Sequence, residues 1–198
     1  MKQNRIAITG GIGSGKTEVV KILRKKGYVV LSADEISREV SNDTKVLDEI
    51  KTTFGEEFVI DGKLDRAKLR QYVFSSETLT DKLNEIMHPI IKQKIKERIA
   101  SESGKTVFVE IPLYESEMQK FYSSIWLITA PMEVRYKRIT SRDEIDITAA
   151  EDIIKRQLSK QVKAKNADVV ILNDGTLDEL EKSIEKNLVS FGYCAENL

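Results

Sequence analysis

A second cysteine, a long apolar run and an excess of either charge are all missing from this 198-residue sequence. The single cysteine, Cys194, cannot form a disulfide within the chain, which favours a reducing compartment. No apolar stretch has the length of a membrane span. Lysine plus arginine and aspartate plus glutamate balance at 32 each, so no global field attracts nucleic acid or an anionic membrane. These absences predict a cytoplasmic protein that binds neither membranes nor nucleic acid.

Five short runs rich in β-branched residues recur along the chain. They are "RIAIT" (5–9), "YVVLS" (28–32), "TVFVE" (106–110), "SIWLI" (124–128) and "DVVIL" (168–172). Helix-like stretches separate most of them, and several runs are apolar at successive positions, as in a parallel sheet covered on both faces. We therefore predict an α/β protein whose ligands bind at the carboxyl ends of the strands.

A long charged interval, residues 35–104, separates the second and third runs. Helical spacing in "VLDEIKTTF", "RAKLRQYVF" and "LNEIMHPIIKQKIKERI" predicts helices there. The interval is too long for a simple crossover, so we interpret it as a helical insertion over the mouth of the sheet, with mere decoration as the alternative. The only histidine, His88, precedes Pro89, where we expect the helix to break and begin again. A polar ring at that point favours a ligand contact over an ordinary surface histidine.

The stretch "AITGGIGSGKTEVV", residues 7–20, carries the most specific motif. It fits G-x-x-x-x-G-K-[ST] between an apolar strand and a helix-like segment, where backbone N–H groups converge on phosphate oxygens. Lys16 is expected to reach the β- and γ-phosphates, and the Thr17 hydroxyl to ligate Mg²⁺. The predicted contacts to a nucleoside triphosphate are Gly11, Ile12, Gly13, Ser14, Gly15, Lys16 and Thr17. The motif does not reveal what is done with that nucleotide.

Two carboxylates follow predicted strands at the rim where the γ-phosphate is expected to point. Asp34 could accept a hydroxyl proton there, but Ser32 and Glu35 fit a capping box, which would make Asp34 an ordinary first-turn acid. These residues alone leave base and cap evenly balanced. Glu110 closes the third run and could hold the water shell of Mg²⁺, with a solvated strand end as the alternative.

Three arginines after the fourth run share one face of a predicted helix. Arg135, Arg138 and Arg142 stand at i, i+3 and i+7, so their charges repel one another unless a polyanion binds. The following "SRDEID" (141–146) resembles a mobile loop between two helices. The stripe is therefore either a lid that closes over ATP or a solvated face.

Taken together and in order, these segments resemble the dephospho-coenzyme A kinase family. The resemblance rests on "TGGIGSGK" (9–16), "SAD" (32–34), "GKLDRAKLRQYVF" (62–74), "HPII" (88–91), "EIPLYE" (110–115), "KRITSRD" (137–143), "RQ" (156–157) and "ADVVILNDG" (167–175). Three positions depart from the pattern: Ser32 replaces the first acid of an aspartate pair, Glu110 stands where aspartate is usual, and Thr17-Glu18 replaces a serine-threonine pair.

The resemblance implies a single P-loop kinase domain with a three-layer fold and a five-stranded parallel sheet. Its core would comprise residues 1–34, 105–134 and 149–198, its helical acceptor-binding insertion about 35–104, and its lid about 135–148. It also implies ATP as donor, Mg²⁺, and dephospho-CoA as acceptor. We further expect a monomer or weak homo-oligomer.

The same resemblance assigns roles to individual residues. Asp34, Lys16 and Arg142 would be catalytic. Arg138 and Asn173 would contact ATP, with Asn173 near adenine or, alternatively, an ordinary turn residue. The acceptor would contact Asp34, His88, Pro112 and Leu113. Two other functions stay open: a P-loop kinase of another small acceptor, such as a nucleoside or nucleoside monophosphate, and a nucleotide-binding regulatory module without transfer.

Overall fold

Branched apolar residues form the main strands, because they pack well on a pleated surface. The computed structural model describes residues 3–112, 120–158 and 166–193, so Leu113 and Cys194 lie outside the described residues. The strands are β1 (Arg5–Gly10), β2 (Val29–Ser32), β3 (Val59–Ile60), β4 (Lys63–Leu64), β5 (Val107–Glu110), β6 (Ser124–Thr129) and β7 (Val169–Leu172). The helices are α1 (Lys16–Lys25), α2 (Ala33–Val40), α3 (Thr44–Phe54), α4 (Arg66–Val73), α5 (Glu77–Ser101), α6 (Met132–Asp143), α7 (Ile147–Leu158) and α8 (Leu177–Ser190), with a 3-10 turn at Glu56–Phe58.

Five of these strands form one sheet in the order β2-β5-β1-β6-β7. Every neighbouring pair is parallel, so the carboxyl ends of all five strands meet at the same edge. The register places Glu110 of β5 opposite both Ile8 of β1 and Ser32 of β2. The α/β fold and the five predicted strands are thereby confirmed.

The chain divides into two compact units. The first comprises Met1–Ser32 and Glu102–Leu198 and contains the five-stranded sheet. Its core is built from the strands, α1 and α8, with Trp126 and Phe108 in edge-to-face contact at 5.3 Å between ring centroids. Burial of these large rings at the centre of the sheet holds the strand ends in fixed positions.

The second unit, Ala33–Ser101, contains α2, α3, α4, α5 and a two-stranded antiparallel hairpin of β3 and β4. Helices α2, α3 and α4 each pack against α5. Buried Ile36, Ile50, Leu69 and Ile95 supply one apolar contact face from each of these four helices. The predicted helical character of this interval is confirmed, whereas its role as an acceptor-binding insertion stays a prediction.

The expected helix break at Pro89 is wrong. Helix α5 runs through Pro89 without interruption for 25 residues. Proline costs one backbone hydrogen bond inside a helix. Packing of buried Met87, Ile95 and Ile99 against the other helices of the unit outweighs that loss.

The expected loop at 141–146 is shorter than predicted. Helix α6 continues to Asp143 and α7 begins at Ile147, so residues 144–146 alone connect them. Glu144 ends α6 in the left-handed region, with φ 53°. The Asp146 carboxylate accepts from the Ala149 N–H at 2.8 Å in the first turn of α7. The lid assigned to residues 135–148 stays a prediction.

Candidate active site

The glycine-rich loop of residues 11–15, the phosphate loop predicted from the sequence, joins the central strand β1 to α1 and has a defined internal structure. The Ser14 N–H donates to the Gly11 carbonyl at 3.1 Å, and the Gly15 carbonyl accepts from the Glu18 N–H at 3.1 Å. Gly15 has φ 92°, a conformation that favours glycine, and a Cβ there would collide with the Asn173 amide. Glycine is therefore required at position 15 by both backbone conformation and contact.

Three successive carbonyls of the loop accept hydrogen bonds from other parts of the chain. Arg135 Nε donates to the Ile12 carbonyl at 2.8 Å, and a terminal nitrogen of Arg138 donates to the Gly13 carbonyl at 3.3 Å. Asn173 Nδ2 donates to the Ser14 carbonyl at 2.9 Å. In a trans peptide the C=O and the following N–H point in opposite directions, so the Gly13 and Gly15 N–H groups point away from these donors. Backbone N–H groups oriented in this way suit an anionic ligand.

The donors are themselves held in place. Arg138 also donates to the Asn173 carbonyl at 3.1 Å and to Asn173 Oδ1 at 3.4 Å. Asn173 and Arg135 are each only 5% exposed, and burial lowers the pKa of Arg135. The structure thus places Arg138 and Asn173 at the loop, as predicted. Arg135 also supports the loop, a role that was not predicted for it.

A further support of the loop was not predicted. Gln157 Oε1, on α7, accepts from the Ile12 N–H at 2.6 Å. The "RQ" at 156–157 contributed to the family resemblance, yet nothing in the residue spacing assigned its glutamine a role. A contact across 145 positions of sequence depends on tertiary packing.

Lys16 and Thr17 begin α1 immediately after the loop. The Lys16 ammonium donates to the Gly10 carbonyl at 2.8 Å and lies 3.4 Å from the Gly11 carbonyl. Thr17 is exposed in the first turn of the helix. The positive end of the α1 dipole and the Lys16 charge therefore coincide at the loop.

Arg142 differs from the other two arginines of α6. It forms two hydrogen bonds of 2.7 Å with the carboxylate of Asp143, and this bonding raises the pKa of Arg142. Its side chain is 61% exposed. In the described part of the chain, Arg142 is not among the groups that bond the phosphate loop.

Ser32 and Glu110 form a polar pair at the ends of β2 and β5. The Ser32 hydroxyl donates to Glu110 Oε2 at 2.8 Å, and Ser32 is buried while Glu110 is half-buried. Both positions depart from the family pattern, and they prove to be hydrogen-bonded neighbours. The neutral Ser32 hydroxyl donates to the Glu110 carboxylate, whereas an acid at position 32 would repel it.

The remaining predicted residues belong to different elements of the chain. Asp34 is exposed in the first turn of α2, and His88 is half-buried within α5. Pro112 is exposed just beyond β5. Across residues 3–112, 120–158 and 166–193, no three His, Cys, Asp or Glu side chains converge as a metal site. None of the helices in those segments has the length and apolar character needed to cross a membrane.

Comparison with known proteins identifies the family. Residues 4–179 match the family model for dephospho-CoA kinase. The chain belongs to the dephospho-CoA kinase family. A dephospho-CoA kinase of Fusobacterium nucleatum is 40% identical over 183 residues, which cover 91% of this chain and 95% of that protein. One from Staphylococcus epidermidis is 34% identical over 193 residues, covering 95% of each chain. Membership makes this chain a kinase, and P-loop kinases use ATP.

Solved structures share the fold of this family member. A Thermus thermophilus protein aligns with TM-score 0.81 at 31% identity, over 96% of this chain and 98% of that one. A Campylobacter jejuni dephospho-CoA kinase aligns with TM-score 0.72 at 27% identity, over 98% of this chain and 100% of that one. A shikimate kinase from Acinetobacter baumannii, 17% identical with TM-score 0.54, shares the fold alone.

Proposed function

We propose that this chain transfers the γ-phosphate of ATP to the ribose 3′-hydroxyl of dephospho-CoA, giving coenzyme A and ADP in the last step of coenzyme A biosynthesis. The family match over residues 4–179 carries the choice of acceptor. The phosphate loop supports ATP as donor, but it occurs in kinases of other acceptors and does not distinguish among them.

The donor side of the proposal uses the geometry of the loop. The Gly13 and Gly15 N–H groups and the Lys16 ammonium would hold the β- and γ-phosphates. The exposed Thr17 hydroxyl would ligate Mg²⁺, and half-buried Glu110 would contact the water shell of the ion. These oxygen donors suit Mg²⁺, which takes few protein ligands and several phosphate or water oxygens. Mg²⁺ would neutralise charge on the β- and γ-phosphates.

The chemical step needs a proton acceptor beside the hydroxyl. In our proposal the 3′-oxygen attacks the γ-phosphorus, the bond from phosphorus to the bridging oxygen breaks, and that oxygen leaves with ADP. The hydroxyl proton passes to the Asp34 carboxylate. His88, Pro112 and Leu113 would contact the acceptor.

Two further polar groups would act on the donor. Arg138 and Asn173 support the loop from outside, and we place the adenine ring of ATP near Asn173. Arg142 would exchange the carboxylate of Asp143 for an oxygen of the transferred phosphoryl group. The solvent exposure of that ion pair supports such an exchange, because exposed pairs contribute little net stability.

Acceptor-dependent ATP consumption tests the proposal. The purified chain is assayed with ATP, Mg²⁺ and either dephospho-CoA, a nucleoside or a nucleoside monophosphate. We expect consumption and formation of coenzyme A with dephospho-CoA. Faster turnover with another acceptor would assign the alternative kinase function, and ATP binding without turnover for any acceptor would assign a regulatory module. A cytoplasmic location and a monomeric or weakly oligomeric state remain predictions from the sequence.

A further inference from the structure

A cluster of like charges lies in the second compact unit, close to the carboxylate proposed as the base. Arg38 follows Asp34 by four residues on α2, and Arg66 and Arg70 are four residues apart on α4. Residues at this spacing are neighbours on one helix face, about 6 Å apart between Cβ atoms. Both helices pack against α5, and both belong to the same unit.

The packing of α2 and α4 against α5 places these groups in one part of the unit, and electrostatic effects on Arg66 agree with that placement. Partial burial lowers the pKa of Arg66, the charge of Arg38 lowers it further, and Arg70 acts in the same sense. Asp34 acts in the opposite sense and raises the pKa of Arg66. Three guanidinium groups and one carboxylate are therefore close enough to affect one another.

Three other cationic side chains of the unit, Arg98, Lys94 and Lys68, are each held by an ion pair or a hydrogen bond. Glu39, next to Arg38 on α2, forms ion pairs with Arg98 and Lys94. The Lys68 ammonium on α4 donates to the Glu57 carbonyl at 3.0 Å. By contrast, no hydrogen bond or ion pair between described residues holds the guanidinium groups of Arg38 or Arg66, and Arg70 stacks on the exposed ring of Phe74.

Three mutually repelling guanidinium groups with a single carboxylate near them favour a ligand with several negative charges. Dephospho-CoA carries a diphosphate on the 5′-carbon of the ribose whose 3′-hydroxyl is the acceptor. The 3′-hydroxyl and the 5′-carbon are bonded to adjacent carbons of the ribose ring, so only a few bonds separate the hydroxyl from the diphosphate. This separation is comparable with the one-turn spacing between Asp34 and Arg38.

We propose that Arg38, Arg66 and Arg70 bind the diphosphate of the acceptor, so that the 3′-hydroxyl is presented to Asp34. This inference rests on the proposed function and adds to it a basis for acceptor specificity. Nucleosides lack the diphosphate and nucleoside monophosphates carry one phosphate fewer, so both would forgo contacts that dephospho-CoA makes. The cluster thus selects nucleoside 5′-diphosphate derivatives.

Steady-state kinetics of Arg66→Gln and Arg38→Gln test the assignment. Each charge-assisted contact contributes a factor of about ten in affinity. We expect the KM for dephospho-CoA to rise about tenfold in each variant, while the KM for ATP stays within about twofold and kcat within about threefold. Arg66→Lys should recover part of the loss, because a lysine keeps the charge without the planar fork.

Salt dependence supplies a second readout. The KM of the wild type for dephospho-CoA should rise with ionic strength, and that rise should be shallower in Arg66→Gln. Lys96→Gln is the matched control, because it removes one exposed positive charge from the same unit outside the cluster. Melting temperatures of all variants should match the wild type, since the substituted side chains are exposed.

Each other outcome overturns the assignment. A rise in the KM for ATP would show that the cluster holds donor phosphates, and a fall in kcat at constant KM would make Arg66 a positioning residue for Asp34. Unchanged kinetics in Arg38→Gln and Arg66→Gln would leave the cluster without a ligand. If the wild type itself does not consume ATP with dephospho-CoA, the proposed function fails and not merely this inference.

Discussion

The phosphate loop and the arginine cluster of α2 and α4 both present positive charge, but they are held in opposite ways. Around the loop, Arg135, Arg138 and Asn173 each bond a backbone carbonyl. In the cluster, Arg38 and Arg66 have no such bonds to the described residues. The loop is therefore ordered by the protein itself, whereas we propose that a ligand orders the cluster. In that proposal the donor site binds by preorganisation and the acceptor site discriminates by charge.

Removal of the Lys16 charge gives the largest expected effect. We expect Lys16→Ala to abolish transfer, with a loss of at least about 10³-fold in kcat/KM, because the β- and γ-phosphates lose a preorganised cation. Single-turnover assays at saturating ATP measure it. Lys21→Ala, five residues further along α1 and paired with Glu18, is the control and should remain active. Near-normal turnover of Lys16→Ala would refute the donor site.

Replacement of the Asp34 carboxylate distinguishes two roles of this residue, a catalytic base and an acid that stabilises the first turn of α2. Asp34→Asn keeps the size and a capping oxygen, but its amide cannot accept a proton. We expect kcat to fall about 10²-fold while binding of ATP and dephospho-CoA persists and helix stability changes by no more than about 1 kcal/mol. Calorimetry, melting temperature and single-turnover rate on one preparation measure this. A rate within a few-fold of wild type together with a lower melting temperature would make Asp34 a structural acid.

Arg142 is held by one exposed ion pair, so it is less firmly placed than the donors around the loop and more firmly placed than the arginines of the cluster. Arg142→Ala should lower kcat by about tenfold, and more than it raises the KM for dephospho-CoA, if this arginine acts on the phosphoryl group. Lys137→Ala, which removes an exposed charge from the same helix, should leave kcat unchanged. An unaltered kcat in Arg142→Ala would place it on a solvated face.

Substitution of Asn173 tests whether hydrogen bonds from outside the loop stabilise it. Asn173→Ala removes the side-chain bonds to the Ser14 carbonyl and to Arg138, but keeps the bond from Arg138 to the backbone carbonyl of residue 173. The buried Ser14 carbonyl is left without its donor. The free energy of unfolding should fall by about 1–3 kcal/mol, and the KM for ATP should rise several-fold while that for dephospho-CoA does not. Denaturant unfolding and kinetics measure both. Asn187→Ala is the control, because it loses only a side-chain bond within α8. If its KM for ATP rose as much as that of Asn173→Ala, the rise could not be assigned to the loop.

The smallest expected effect belongs to the Ser32–Glu110 pair. Ser32→Ala frees the Glu110 carboxylate, and we expect the half-maximal Mg²⁺ concentration to rise about threefold with a stability loss of about 1 kcal/mol. Ser32→Thr keeps the hydroxyl and should behave as wild type. If Mg²⁺ dependence is the same in Ser32→Ala, the hydrogen bond does not position Glu110 for the ion.

The sheet and the loop were predictable from the sequence because their signals are local. Apolar runs mark the strands, and the spacing of glycines, lysine and threonine marks the loop. The β3–β4 hairpin was missed although Asp61 and Gly62 carry its turn signal; both have positive φ, at 50° and 72°. Two-residue strands are too short for an alternating pattern to stand out.

The errors and omissions share one physical origin, which is tertiary packing. Local propensity predicts a break at Pro89, but contacts between helices keep α5 continuous. The support of the loop by Arg135 and Gln157 joins segments more than 100 residues apart. The Ser32–Glu110 bond depends on the register of β2 against β5, which the sequence does not display.

The order of strands in the sheet also constrains how the chain reaches its native state. Strand β1, made first, pairs only with β5 and β6, which follow about a hundred residues later. The unit Ala33–Ser101 is continuous in sequence and consists mainly of helices, so its contacts are more local. During synthesis we expect these helices to fold first, while the phosphate loop stays unstructured until β6 leaves the ribosome. A chain truncated before Ser124 would then retain helical structure but lack the capacity to bind a nucleotide.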